Sequence, residues 1–255
     1  MRKKIVCFSW KMHINTRQEV DTLATGIRDL TKAMTELEIF LLPTFPLIPH
    51  LSQILEGSHI GWGAQNMAFA DYGAYTGEVP PITLIDLGCK YVEIGHAERR
   101  MYFNESDQDV NKKVKLCLKF GMTPLACVGE TESEKEEGNG YVKIRTQVLW
   151  ALEGLSEEEI KKVILVYEPV WAIGKQEGAS AEYVEEIHSF IRGVVAQEHG
   201  SEAAKAVRII YGGSVKLESA QKLMKKENID GLFAGRFALW PDKFAAIAAT
   251  ALRKE

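Results

Sequence analysis

Eight short apolar segments recur along the 255-residue chain and constrain its fold more than any other feature. They are Ile5–Phe8, Ile39–Leu42, His59–Ala64, Tyr91–Ile94, Pro124–Val128, Val163–Tyr167, Arg208–Tyr211 and Gly231–Ala234. Each is apolar nearly throughout instead of alternating with polar residues, which is typical of parallel strands buried on both faces. The sequence therefore predicts eight buried parallel strands.

Helical patterns separate these strands. Capping-box spacing, in which Ser or Thr precedes Glu by three positions, begins at Thr16, Thr131 and Ser156. The segment Ala181–Ala196 places apolar residues at intervals of three and four, and Ala245–Leu252 closes the chain in the same manner. Alternating strands and helices predict a parallel sheet that is covered by helices.

A closed barrel and an open doubly wound sheet share this alternation. A Gly-x-Gly-x-x-Gly turn after the first strand would favour the open sheet, and the sequence has none there. Eight strand–helix units in about 250 residues match the barrel, and no Pro/Gly/Ser-rich linker divides the chain. We therefore predict an α/β fold, a single (β/α)8 barrel, as one domain over residues 1–255.

The composition excludes several classes of protein. The net charge of −4 gives no basic surface for nucleic acid, and no apolar run approaches the ~18 residues of a membrane helix. After the basic start Met1–Lys4, the apolar run Ile5–Trp10 is shorter than the ~7–15-residue core of a signal peptide. We expect a cytoplasmic protein without nucleic-acid or membrane partners.

Cysteine and histidine are dispersed along the chain. The cysteines show no Cys-x-x-Cys spacing, and Cys7 and Cys127 fall in apolar strand-like runs, where cysteine behaves as a small hydrophobe. The six histidines form no cluster with metal-ligand spacing. We predict reduced thiols at Cys7, Cys89, Cys117 and Cys127, and neither a metal nor another cofactor.

Residues that follow the predicted strands are candidates for an active site, because barrels carry their sites at the carboxyl ends of the strands. Lys11 follows the first strand, His96 the fourth and Glu168 the sixth. A histidine at a helix start can stay neutral, and a carboxylate among apolar residues suits a base. A solvated lysine, a structural histidine and a strand-end ion pair are the plainer interpretations.

Glycine-containing turns follow the last two predicted strands. Gly212-Gly213-Ser214 comes after the seventh strand, and Gly235-Arg236 comes after the eighth. Glycine lets backbone N–H groups approach an anion, and barrels commonly hold phosphate at this place. A Gly-Gly pair is usually a simple turn, so it is the position in the chain that favours a phosphate site.

These residues together resemble the triosephosphate isomerase family over essentially the full chain. The segment Ile94–Arg100 departs from the family's Ile-Gly-His-Ser-Glu-Arg-Arg only at Ala97, and Tyr167–Gly174 matches the family's segment of base and lid hinge throughout. Further matching strings are Gly63–Asn66, Gly73–Glu78, Cys127–Glu130 and Tyr211–Val215. The resemblance implies the TIM-barrel fold and a cofactor-independent isomerisation of a small phosphorylated sugar, as in glycolysis.

The resemblance also implies a role for each catalytic candidate. Glu168 would move a proton between adjacent carbons, neutral His96 would polarise the carbonyl, and Lys11 would stabilise the developing enediolate. Glu98 would support these charges at the strand ends. The phosphate would lie on backbone N–H groups of Gly174, Ser214 and Gly235.

A long loop after the third predicted strand carries the expected partner contact. Loops of more than about 12 residues without structure of their own are usually functional, although a plain surface loop is the simpler interpretation. The resemblance implies a homodimer in which this loop, Gln65–Glu78 with Tyr75, inserts into the partner subunit and Thr76 reaches the partner's Lys11 region.

Three departures from the family concern the fit of the substrate. Ser9 replaces an asparagine that contacts substrate, Gly235-Arg236 replaces a Gly-Gly pair, and Lys175–Ala179 replaces a Thr-Gly-Lys-Thr string. The Arg236 side chain could fold across the phosphate or reach outward to Asp230 or Asp242. The pattern resembles paralogs that interconvert L-erythrulose 1-phosphate and D-erythrulose 4-phosphate. A triose phosphate, such a tetrulose phosphate, and a catalytically silent phosphate-binding barrel all remain open at this point.

Overall fold

The computed structural model describes residues 2–252, which form a closed barrel of eight parallel strands in chain order, β1 to β8. The strands are β1 Ile5–Ser9, β2 Glu38–Leu42, β3 Gly61–Ala64, β4 Tyr91–Ile94, β5 Thr123–Val128, β6 Ile164–Tyr167, β7 Arg208–Tyr211 and β8 Gly231–Ala234. The predicted strands and the single (β/α)8 barrel are confirmed. Their ends move by at most two residues, as at β3, which begins at Gly61 instead of His59.

Helices surround the barrel and connect its strands. They are α1 Arg17–Thr31, α2 Ile48–Leu55, α3 Pro81–Asp86, α4 Ala97–Phe103, α5 Asp107–Lys119, α6 Glu132–Glu136, α7 Gly140–Leu152, α8 Glu157–Ile160, α9 Ala181–His199, α10 Ser201–Ala206, α11 Leu217–Leu223 and α12 Pro241–Ala249. The capping boxes predicted at Thr16, Thr131 and Ser156 are confirmed.

The prediction for the last helix was wrong in its bounds. The helix begins at Pro241, four residues before the predicted Ala245, and ends at Ala249 instead of Leu252. Proline suits the first turn of a helix because its fixed φ is helical and its missing N–H is not needed there. The spacing of apolar residues could not locate this start, since it describes only the helix interior.

The strands are buried on both faces, as their composition predicts. Alternate residues of β1 separate the two sides, because successive strand side chains point in opposite directions. Ile5 and Cys7 pack inside the barrel, whereas Val6 and Phe8 pack against the surrounding helices. The inner layer thus ends, at the carboxyl end of β1, on Ser9, which shares the inward face of Cys7.

All four cysteines are free and buried, in agreement with the predicted reduced thiols. Burial raises the pKa of the Cys89 thiol to about 12. Within residues 2–252, every helix is too short or too polar to cross a membrane.

Candidate active site

A cavity of about 270 Å³ opens at the carboxyl ends of the strands. It brings together nine of the residues singled out in the sequence, although they come from five different strand ends. These residues are Ser9, Lys11, His96, Glu98, Glu168, Gly174, Ser214, Gly235 and Arg236. The loop residues Tyr75 and Thr76 lie outside this cavity and are exposed.

His96 lies at the start of α4 and is held as a neutral ring. Its Nδ1 accepts a hydrogen bond from the backbone N–H of Glu98 at 3.1 Å, so the ring proton lies on Nε2. Burial, followed by the positive charges of Lys11 and Arg99, lowers the pKa of His96 to about 3. The imidazole can therefore donate from Nε2 without carrying a charge.

Glu168 follows β6 and is 2% exposed. Its Oε2 accepts from the backbone N–H of Ala97 at 3.2 Å, and its Oε1 lies 3.3 Å from Nε2 of His96. Burial raises the pKa of Glu168 to about 7, against the opposing effects of Lys11 and the Ala97 N–H. Such a carboxylate is a stronger base than an exposed one at neutral pH.

A glycine makes room for this carboxylate. A Cβ on Gly212 would come within 2.8 Å of Cγ of Glu168. Any larger residue at Gly212 would therefore displace the base. This accounts physically for one glycine of the turn after β7, apart from any role in binding an anion.

Lys11 stands directly after β1 in a left-handed backbone conformation, with φ of 50°. That conformation costs a non-glycine residue about 1–2 kcal/mol and is typical of functional positions. Nζ of Lys11 donates to Oε1 of Glu98 at 2.6 Å, across two elements that are far apart in sequence. Glu98 thus holds the ammonium group at the cavity wall and, through its backbone N–H, also orients His96.

Glu93 lines the same cavity and was missed by the sequence reasoning. It lies within β4 and is 2% exposed, and its Oε2 accepts from Oγ of Ser9 at 2.7 Å. The available signal was a charged residue inside a strand that is otherwise apolar. A buried carboxyl group in that position is costly unless it is paired or neutral.

Glu93, His96 and Glu168 offer ligand atoms within 4.8 Å of one another, close enough to suggest a metal ion. A metal on Nε2 of His96 would need a lone pair there and would move the ring proton to Nδ1. That proton would then face the N–H of Glu98, which already donates to Nδ1. The histidine is therefore arranged for hydrogen bonding and not for metal ligation.

The opposite end of the cavity is lined by backbone. Gly174, Ser214 and Gly235 all border it, and their N–H groups form no hydrogen bond within residues 2–252. Free backbone N–H groups in a pocket are good anion ligands, because the cost of leaving them unpaired is relieved by the anion. This end of the cavity can therefore hold a phosphate group.

The segment after β6 borders this end and is hydrogen-bonded to Tyr211 of β7 and to Ser214 in the turn after β7. Oγ of Ser214 donates to the carbonyl oxygens of Ala172 and Lys175, at 3.0 and 2.8 Å. The hydroxyl of Tyr211 accepts from the N–H of Ala179 at 3.0 Å. These contacts use only the backbone of the segment, so its departure in sequence from the family string leaves them intact.

Arg236 borders the cavity and is exposed. Its guanidinium carbon lies 5.3 Å from the ring centroid of Phe237. Asp230, one of the two outward partners considered, is already bound by Arg2 at 2.6 Å and by Arg192 at 2.8 Å. Within residues 2–252 Arg236 forms no ion pair with Asp230 or Asp242, and a contact with the phosphate stays a prediction.

A buried base, a neutral histidine and a lysine at one cavity of a (β/α)8 barrel are typical of an isomerase that transfers protons within its substrate. A model of the triosephosphate isomerase family matches residues 4–251. The chain belongs to the triosephosphate isomerase family, and it is an isomerase of that type, not a silent barrel.

Individual relatives agree with this family over nearly their whole lengths. The chain is 41% identical over 247 residues to the triosephosphate isomerase of Geotalea uraniireducens, covering 97% of this chain and 98% of the relative. It is 42% identical over 247 residues to that of Caldanaerobacter subterraneus subsp. tengcongensis, covering 97% and 99%. It is 40% identical over 244 residues to that of Dictyoglomus thermophilum, covering 96% and 98%.

Proposed function

We propose that this enzyme interconverts dihydroxyacetone phosphate and glyceraldehyde 3-phosphate through an enediolate, without a cofactor. One observation carries the proposal. A buried carboxylate and the N–H of a neutral histidine lie 3.3 Å apart at one end of a cavity, and free backbone N–H groups line the other end. This arrangement fits a short substrate with a carbonyl at one end and a phosphate at the other.

The proton transfer uses Glu168 and His96. The Glu168 carboxylate takes a proton from the carbon beside the carbonyl, while Nε2–H of His96 donates to the carbonyl oxygen. The electron pair of the broken C–H bond forms the new C=C bond of the enediolate, and the former carbonyl pair moves onto its oxygen. His96 then relays the hydroxyl proton of the neighbouring carbon to that oxygen. Glu168 returns its proton to the former carbonyl carbon, which leaves the carbonyl on the neighbouring carbon. A donor aimed at an oxygen that gains charge lowers the barrier more than it favours the ground state.

Lys11 and the phosphate end complete the site. The Lys11 ammonium, held by Glu98 at 2.6 Å, supplies positive charge beside the oxygens that become negative. The backbone N–H groups of Gly174, Ser214 and Gly235 bind the phosphate, and Arg236 adds a charge-assisted contact. Binding remote from the reacting carbons fixes the substrate against the base.

The named relatives favour the three-carbon substrate over the four-carbon ketose phosphate that Ser9 and Arg236 suggest. The test compares kcat/KM of one purified preparation for dihydroxyacetone phosphate and for L-erythrulose 1-phosphate. We expect at least a tenfold preference for the triose, which corresponds to about 1.4 kcal/mol of differential transition-state binding. A preference for the tetrulose would reassign the substrate, and no turnover of either would refute the isomerase proposal.

The proposal includes a homodimer. The loop after β3 exposes the large side chains Tyr72 and Tyr75, at 92% and 44%, beside Thr76. A second cavity of about 470 Å³ adjoins Lys11 and is bordered by Met12 and Phe45. An exposed aromatic loop and an apolar cavity on the same chain are complementary in a two-fold symmetric pair.

Sedimentation of the purified chain tests this assembly. We expect a dimer that buries the loop after β3 and stays associated at nanomolar concentration, with activity that follows the dimer fraction. An active monomer at that concentration would contradict the proposal. We also propose that residues 1–255 form one domain in each subunit. The four free cysteines suit the reducing cytoplasm, where we place the enzyme.

A further inference from the structure

Glu93 is a buried ionisable group that the proton transfer described above does not use. It lies on the inward face of β4, because Val92 and Ile94 pack outward against the helices and successive strand residues alternate. Its register partner Leu125 belongs to the interior of the barrel. Glu93 is therefore the last inward residue of β4, at the floor of the cavity.

Ser9 is the last inward residue of β1 and fixes the orientation of the Glu93 carboxyl group. Its Oγ lies 2.7 Å from Oε2 of Glu93 and has no other hydrogen-bond partner among residues 2–252, so Oγ–H donates to Oε2. The other oxygen, Oε1, lies 3.9 Å from Nε2 of His96, on the side of the reacting groups. A proton on this carboxyl group would therefore reside on Oε1 and point to the place where His96 also donates.

The surroundings favour a protonated Glu93. Burial, followed by the negative charge of Glu168, raises the pKa of Glu93 to about 8, whereas the Ser9 hydroxyl and the Lys11 ammonium oppose this. The titratable and charged groups that face it from the neighbouring elements are Cys7, Lys11, His96, Glu98, Cys127 and Glu168. The two thiols and the histidine are neutral, so Lys11 is the one cation among these groups, and it is bound to Glu98.

We propose that Glu93 is a catalytic residue that acts as a neutral carboxylic acid, whose Oε1–H donates a hydrogen bond to the oxygens of the reacting carbons. The inference rests on the isomerase function proposed above. A charged Glu93 would repel both the Glu168 carboxylate and the enediolate, whereas a neutral one adds a donor where negative charge develops. The Ser9 hydroxyl on β1 thereby orients the Glu93 donor on β4 toward the substrate.

Glu93→Gln is the first test, because an amide keeps the shape and the donor but cannot lose a proton. In the wild-type enzyme Glu93 is neutral below its pKa and charged above it, so kcat/KM should fall as the pH rises through about 8. We expect Glu93→Gln to keep kcat within threefold at neutral pH and to lose this alkaline limb. The matched control is Glu38→Gln, the same change at the amino end of β2, which should leave the limb in place.

Two further variants separate donation from packing. Glu93→Leu keeps the bulk but removes the donor, and we expect kcat to fall about 100-fold, the usual effect of losing one such donor. Ser9→Ala removes a hydrogen bond that stabilises the charged form of Glu93, so the alkaline limb should move to higher pH. Thermal unfolding of each variant shows whether the barrel is intact.

An infrared difference spectrum, wild type minus Glu93→Gln at neutral pH, gives a readout that does not depend on turnover. We expect the carbonyl stretch of a protonated carboxylic acid. Absence of this band from the difference spectrum would overturn the assignment. So would a 100-fold loss of kcat in folded Glu93→Gln, or an alkaline limb that this variant keeps unchanged. If wild-type enzyme turns over neither sugar phosphate, the proposed function fails instead, and the infrared band still decides the state of Glu93.

Discussion

Shortening the proposed base by one carbon atom tests the central assignment. Glu168→Asp keeps the charge but withdraws the carboxylate by about 1.5 Å, the length of one C–C bond. In the native site Oε1 lies 3.3 Å from His96 Nε2 and Oε2 lies 3.2 Å from the Ala97 N–H, so the shorter side chain cannot keep both contacts. A misplacement of about 1 Å costs about 10² in rate, which is about 2.7 kcal/mol of activation free energy.

The assay measures kcat and KM in both directions of the isomerisation. We expect kcat of Glu168→Asp to fall at least 100-fold while KM changes little, because phosphate binding at the other end of the cavity is untouched. Glu38→Asp is the control, since that carboxylate pairs with Arg208 at the far end of the barrel; its kcat should match wild type. A kcat near wild type for Glu168→Asp or Glu168→Gln would refute the role of Glu168.

Three further outcomes follow from the same site. kcat/KM should fall as the pH drops below about 7, because the base Glu168, whose pKa is raised to about 7, becomes protonated there. An acid limb that moves when His96 is substituted would contradict this. Thr76→Arg should weaken the dimer at least tenfold in sedimentation, or about 1.4 kcal/mol, and unchanged association would remove the loop from the interface. Arg236→Gly combined with Ser9→Asn should raise the ratio of triose to tetrulose kcat/KM, and an unchanged ratio would mean that neither residue sets specificity.

Much of the fold could be predicted because strands and capping boxes are local patterns. The capping box at Thr16 needs only four consecutive residues, and the structure has it. The start of the last helix at Pro241 was mispredicted, because apolar spacing describes a helix interior and not its end. The strand ends carry the site residues Lys11, His96 and Glu168, so the barrel topology alone was enough to expect them at one end.

Two features of the site could not be settled from the sequence, because they depend on what surrounds a side chain. Arg236 had an outward partner available in sequence, but Asp230 is already bound by Arg2 and Arg192 in the folded chain. Glu93 was hidden in a strand that was treated as apolar. The orientation of its carboxyl group depends on the hydrogen bond with Ser9. Nothing in the spacing of the two residues in the sequence indicates that they are in contact.

The sequence by itself determined the barrel, since eight apolar runs separated by amphipathic helices bury both faces of a parallel sheet only when helices cover it. It also placed Lys11, His96 and Glu168 at the carboxyl ends of strands. Only the tertiary structure decided their protonation and contacts. Closure of the barrel brings Ser9 within 2.7 Å of Glu93, 84 residues away, and removes both from water. Burial and a neighbouring charge set which carboxyl group holds a proton, and neither is a local property of the chain.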